Sequence, residues 1–154
     1  MESSTSTTLA APRPRAFSSL RRVHRLAQSH GDRIARDHGL TMQQWELLVR
    51  LRRAGGSLDQ RELCCGFGVA PATMSALIES AAERGFVVRE AHPGDRRRRR
   101  IALSLEGRQR VEAVPHLGRE VATRMTTGFT DEERVVLAVL LERAAENLAA
   151  EVRP

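Results

Sequence analysis

The 154-residue chain has no lysine, no tyrosine and only two cysteines. Aromatic residues make up 3% of it, so the core must be built from Leu, Val and Ala, a palette that favours helices. The same scarcity argues against a single-stranded RNA reader, which stacks bases on aromatic rings, and leaves only shape-based binding of duplex RNA open. Long apolar runs are missing too, which excludes a transmembrane helix, and no membrane partner is expected. The cysteines, Cys64 and Cys65, are neighbours, and helical neighbours point about 100° apart, so they cannot pair without breaking the helix. No C-x-x-C or Cys/His spacing suits zinc, and His24, His30, His38 and His116 do not make an i, i+4 pair. A reduced compartment fits this usage. H-E-x-x-H, G-x-S-x-G and phosphate-loop patterns are also absent, so the chain reads as no enzyme and carries no cofactor motif. Its first residues lack a basic start followed by an apolar stretch, so a secretory signal is not expected. Residues 1–15 read as a disordered polar tail, and the protein is placed in the cytoplasm.

What is present is arginine. All 25 basic residues are Arg, against 19 acids. Arginine-rich codon usage accounts for a uniform bias, but the distribution is uneven. Residues 1–57 carry a net +6, residues 58–83 a net −3, residues 84–110 a net +6 and residues 111–154 a net −3. A short central segment therefore concentrates positive charge, and a phosphate-bearing partner is the natural reading.

Periodicity gives the elements. Phe17, Leu20, His24, Ala27, Gly31, Ile34 and His38 form one helical stripe, close to a coiled-coil seam, ended by Gly39. A second helix follows Thr41 as cap, with Trp45, Leu48 and Leu51 inward, and stops at Gly55-Gly56. Asp59-Gln60-Arg61-Glu62 has the capping-box form and opens a short third helix through Leu63 and Cys64. A fourth opens at Pro71, with Leu77, Ile78 and Ala81 inward, and stops at Gly85. FVVRE and IALSL read as two strands, joined through HPGDRRRRR into a hairpin with a basic tip. Ser104 caps a helix striped by Val111, Val114, Gly118, Val121 and Met125, which Pro115 should bend. Thr130 to Glu133 forms a second capping box before a last helix carrying Val136, Leu137, Leu140, Ala144 and Leu148.

The fold class is thus mainly α with a small β-hairpin wing (α+β): a winged helix-turn-helix over 41–104, flanked by dimerisation helices over 16–38 and 105–150, all in one domain from 16 to 154. The second helix of such a unit enters the major groove of double-stranded DNA. Here its first turns offer Pro71, Ala72, Thr73, Ser75 and Ala76, all short, so the helix axis can approach closely while Thr and Ser reach bases or phosphates. Arg96, Arg97, Arg98, Arg99 and Arg100 follow on the wing, where strand alternation lets two or three reach one backbone or the minor groove together. Alone, such a run is as readily a solvated charge cluster. Next to a helix-turn-helix it reads as DNA contact.

LTMQQWELL, RELCCGFGVAPATMSALIESAAERGFVVRE and HPGDRRRRRIALSLEGR together resemble the multiple antibiotic resistance regulator (MarR) family. The most specific part is the D-x-R wing, Asp95-Arg96-Arg97, followed by Leu103-Ser104-Leu105-Glu106-Gly107-Arg108. The resemblance runs from about Phe17 to Leu148. It implies a homodimeric winged-helix repressor of a palindromic operator, bacterial or archaeal, often released by a small anionic aromatic ligand or an oxidant. By motif match Arg97 is the wing arginine of the minor groove, and Asp95 orients the wing by pairing with a neighbouring Arg. The sequence departs from the family at Ala70, where a Ser or Thr cap is usual, at Ala76, where a basic residue is frequent, and at Cys64-Cys65-Gly66.

For an effector, His24 and Trp45 are candidates, with Arg21, Arg22 or Arg25 meeting an anionic group while Trp45 stacks on a ring. The competing reading is a packed core Trp and a satisfied His. Cys64 is expected buried, whereas Cys65 is expected more exposed and is the candidate for oxidant sensing. Two further alternatives remain, an architectural nucleic-acid-binding protein without a ligand and a winged helix kept as a protein-interaction module.

Overall fold

The computed structural model describes residues 13–92 and 94–152, with the side chains of 13, 14, 92, 95–97 and 151–152 left aside. Of the tail expected over 1–15, residues 1–12 lie outside the described residues. The chain divides into two compact units, one up to Leu117 and one from Gly118 on.

In the first unit the helices are α1 (Arg13–Arg36), α2 (Met42–Arg53), α3 (Gln60–Phe67), α4 (Pro71–Glu83) and α5 (Leu105–Ala113). The strands are β1 (Ser57–Asp59), β2 (Val87–His92) and β3 (Asp95–Leu103). Helix α1 takes in residues 13–15, which the sequence reading assigns to the tail. Only its C-terminal half is covered: Gly31 and Ala35 are buried, and the Asp32 Oδ1 accepts a hydrogen bond from the Met42 amide at 2.7 Å. Phe17, Leu20, Val23 and Leu26, on the preceding turns, are exposed.

Helix α2 is the centre of this unit. Thr41 caps it reciprocally: its Oγ1 accepts from the Gln44 amide, and the Gln44 Oε1 accepts from the Thr41 amide, both at 3.1 Å. Leu47, Leu48 and Leu51 are fully buried, together with Leu63 of α3, Met74 and Ile78 of α4, Ile101 of β3 and Val111 of α5. The inward side of α4 is thus Met74, Ile78 and Ala81, and the expected Leu77 is half-buried beside them. Met74 stands four residues before Ile78, one turn along the same face.

The sheet has the order β1-β3-β2, antiparallel throughout. Strand β1 was not expected. Its three residues are too few to show an alternation, and the strand exists through its pairing with β3, Ser57 opposite Ala102 and Asp59 opposite Arg100. Helix α3 runs to Phe67, beyond the expected Cys64, with Gly66 inside it. Gly68 ends it at φ 61, a left-handed conformation that costs glycine no Cβ clash.

Ser104 caps α5 by accepting from the Gly107 amide at 2.9 Å. A Cβ at Gly107 would collide with the Phe86 carbonyl, which gives the glycine of the Glu106-Gly107-Arg108 run a packing reason. Pro115 breaks rather than bends the helix that follows: α5 ends at Ala113 and α6 (Leu117–Met125) begins afresh. The proline ring cannot share space with the carbonyl four residues back, and it has no N–H to continue the ladder.

The second unit holds α6 from Gly118 and α7 (Asp131–Val152). Thr130 caps α7 reciprocally with Glu133, at 3.2 Å and 2.9 Å. Val121 is buried, whereas Val135, Val136, Val139, Leu140, Leu141 and Leu148 are all exposed. Among the described residues no single helix is long and apolar enough to cross a membrane.

Candidate nucleic-acid interface

Helices α3 and α4 are bent by 112° across the turn Gly68 to Ala70, within the range of a helix-turn-helix. Two side-chain bonds hold α4 in place. Gln60, the first residue of α3, donates from Nε2 to the Ser75 Oγ at 2.8 Å, and the buried Gln44 of α2 donates from Nε2 to the Ser80 Oγ at 3.1 Å. The first turn of α4 faces outward: Pro71, Ala72, Thr73 and Ala76 are exposed, and Ser75 is half-exposed with Gln60 on its hydroxyl. Ala70 supplies no side-chain cap. Pro71 has no N–H, and the amides of Ala72 and Thr73 precede the first helical bond, from the Met74 amide to the Ala70 carbonyl at 3.1 Å. These donors and the helix dipole suit a phosphate. Helix α4 itself has no basic residue in its first or last turn. Positive charge must come from elsewhere.

It comes from β3. The basic run is strand, paired with β2 as Glu90 opposite Arg100 and Ala91 opposite Arg99, before a register shift at Ala91/His92. Arg99 is exposed. Arg98 and Arg100 are half-exposed and line a cavity of about 320 Å³ with Ala54, Ser57, Leu58, Asp59 and Glu62. Arg98 makes an ion pair with Asp59, whose side chain is almost fully buried. The side chains of Asp95, Arg96 and Arg97 lie outside the described residues, and so does the orienting pair expected for Asp95. Sequence reasoning did not find Asp59 as a partner of the wing. The capping-box pattern marked it as a helix cap only, and its cation comes from 39 residues away.

The effector candidates separate. Arg21, Arg22, His24 and Arg25, with Phe17 and Ser18, line an open cavity of about 520 Å³ along α1. Trp45 is not among its walls. It is buried at 8% exposure and donates from Nε1 to the Val114 carbonyl at 2.9 Å, where the break before Pro115 leaves that oxygen to be satisfied. His24 instead acts on Glu46 of α2. Burial raises the Glu46 carboxyl above its usual range, and the charges of His24 and Arg50 and a hydrogen bond from Gln28 draw it partly back. Arg50 also lies over the Phe67 ring at 5.0 Å, which links α2 to the end of α3. Cys65 is exposed, and Cys64 is half-buried rather than buried. Among the described residues no group of three His, Cys, Asp or Glu side chains is placed to hold a metal ion.

Comparison with known proteins converges on one family. The model of the MarR family matches residues 38–98, which include the helix pair and most of the wing. The chain is 30% identical over 113 residues to the HTH-type transcriptional repressor YetL of Bacillus subtilis, a match spanning 72% of this chain and 67% of that one. It spans only 54% of another curated relative, the uncharacterized HTH-type transcriptional regulator YwaE of the same organism, at 27% identity over 60% of this chain. Solved structures that share the fold include two regulators. One is the organohalide-sensing regulator RdhR with 2,4-dichlorophenol bound (TM-score 0.82, 16% identity, covering 99% of this chain and 92% of that one). The other is a cysteine-to-serine mutant of MarR from E. coli complexed with operator DNA (TM-score 0.75, 19% identity, covering 83% of this chain and 91% of that one). With the helix pair, the arginine strand and these relatives in agreement, the chain belongs to the MarR family of transcriptional regulators.

Proposed function

We propose that this protein is a homodimeric repressor that binds a palindromic operator in double-stranded DNA and releases it when a small anionic aromatic ligand arrives. The observation that carries the DNA reading is the 112° helix pair with an exposed first turn on α4, in a chain whose neighbouring strand holds five consecutive arginines. Helix α4, without basic residues at either end, offers close approach and hydrogen bonds, and the wing offers charge. Pro71, Ala72, Thr73, Ser75 and Ala76 are assigned to the major groove. Arg96, Arg97 and Arg99 are assigned to the backbone or the minor groove, with Asp95 orienting the wing.

The dimer reading rests on two sets of exposed apolar side chains, each uncovered in its own unit: Phe17, Leu20, Val23 and Leu26 on α1, and six large residues on α7. Large apolar side chains left exposed in this number mark an interface. Two-fold symmetry would then set the two α4 helices about one DNA turn, or a multiple, apart. The effector reading rests on the cationic cavity of α1, where Arg21, Arg22, His24 and Arg25 offer an anion several partners around Phe17. Trp45 has no place in it, since its ring is buried and its N–H engaged.

The test is selection of bound fragments from the source genome at near-physiological salt. An enriched inverted repeat with half-sites about one turn apart is expected. Binding without any enriched motif would leave only non-specific affinity and overturn the reading.

A further inference from the structure

We propose that Asp59 is a positioning residue of the DNA interface, acting through Arg98. The proposal rests on the DNA-binding reading above. Asp59 ends β1 and caps α3, so it stands at the joint between the wing sheet and the helix-turn-helix. Its side chain is 7% exposed, and a carboxylate so buried needs a cation. Arg98, in the middle of the basic run, provides it. The Asp59 backbone is itself paired with Arg100 in the β1–β3 ladder, and its amide donates to the Glu62 Oε2 at 2.9 Å. The next residue, Gln60, holds Ser75 of α4. One carboxylate therefore ties the arginine strand to the helix that is tied in turn to α4.

Two consequences follow. Where Arg99 and its neighbours stand relative to α4 depends on the Asp59–Arg98 pair. Arg98 is also withheld from phosphates, because its guanidinium already has an anion. The run thus contains one arginine committed to geometry and others left to DNA.

Asp59→Asn separates these effects from helix capping, because Asn caps a helix as well as Asp does. The probes are a duplex enriched from genomic fragments and a random-sequence duplex of equal length, each titrated over a range of salt. On the random duplex, D59N is expected to bind more tightly, with a salt slope steeper by about 0.9 as Arg98 gains a phosphate. Its preference for the enriched duplex is expected to fall about tenfold, the size of one lost specific contact. Arg98→Ala should lose the same preference without the steeper slope. The double variant should lose no more preference than either single, because both remove the Asp59–Arg98 pair.

The proposal is overturned if D59N changes both duplexes by the same factor, if its salt slope is unchanged, or if the two single losses add. A wild-type protein that binds neither duplex overturns the DNA reading itself. A wild type that discriminates, with variants that discriminate equally, overturns only the role of Asp59. Arg98→Ala leaves the buried Asp59 carboxylate without its arginine, so a folding defect in R98A leaves the question to the neutral D59N, whose salt slope and preference decide it.

Discussion

Helices α2 and α7 are built from the same kind of residue and differ in what covers them. In α2, Leu47, Leu48 and Leu51 are fully buried and Met42, Trp45 and Val49 nearly so. In α7, Val135, Val136, Val139, Leu140, Leu141 and Leu148 are all exposed. Both begin with a threonine cap closed by a side chain three residues on, Gln44 in one and Glu133 in the other. Local sequence therefore makes two sound helices, and only the surroundings distinguish them. An apolar residue states that a face wants cover. It does not state whether the cover comes from the same chain or from a second copy.

The largest effect expected from this contrast is at Leu48. Leu48→Ala removes a fully buried side chain from the centre of the first unit and should cost about 2–5 kcal/mol in denaturant unfolding. A cost under about 1 kcal/mol would mean that the α2 face collapses around the loss, and that burial there is weaker than it looks. The matching change on α7 should act on association rather than folding. Leu140→Asp together with Leu148→Asp places charge among the exposed apolar residues, and we expect the proposed dimer to weaken at least about a hundredfold, near 2.7 kcal/mol, by sedimentation equilibrium. Helix content should be unchanged by circular dichroism. Loss of helix instead would show that α7 is covered by its own chain, and the contrast would fail.

A smaller effect tests the helix ends. Helix α4 lacks the cap that α2 and α7 have, because Ala70 offers no side-chain acceptor. Ala70→Ser should stabilise the fold by about 1 kcal/mol and raise the melting temperature, since the backbone of residue 70 is already extended as a cap requires. An unchanged melting point would mean that the end of α4 is satisfied by other means.

The sequence made the local devices legible and left the long-range ones hidden. Thr41, Ser104 and Thr130 are short-range caps, and their pattern is complete within four residues. The helix pair and the hairpin are likewise local, and the family resemblance carried on them holds. Strand β1 was invisible because it is three residues long and is created by β3, more than forty residues on. The break at Pro115 was read as a bend because proline tolerates either. The Trp45 indole satisfies the Val114 carbonyl that the break exposes, a contact between residues 69 apart that no local pattern shows. The same limit hid the pairing of Asp59 with Arg98. It also led Trp45 to be weighed as a ligand platform alongside His24, although one faces the core and the other lines an exposed surface.

The smallest effect concerns the edge between covered and uncovered ground. Glu46 is half-buried on α2, and desolvation lifts its carboxyl above the usual 4.5 against the pull of His24, Arg50 and Gln28. Because the folded-state value is the higher one, the folded chain holds this proton to higher pH than the unfolded chain does. The stability that the proton contributes is complete below the ordinary value and is lost as pH rises through the raised one. Glu46→Gln keeps the shape neutral at every pH. Measured by urea unfolding from about pH 4 to about pH 7, the stability of wild type relative to E46Q should therefore fall with rising pH and then level off. A relative stability that rises instead would mean that the attraction of His24 and Arg50 outweighs burial. Glu46 would then belong to the charged surface of α1 rather than to the core of α2.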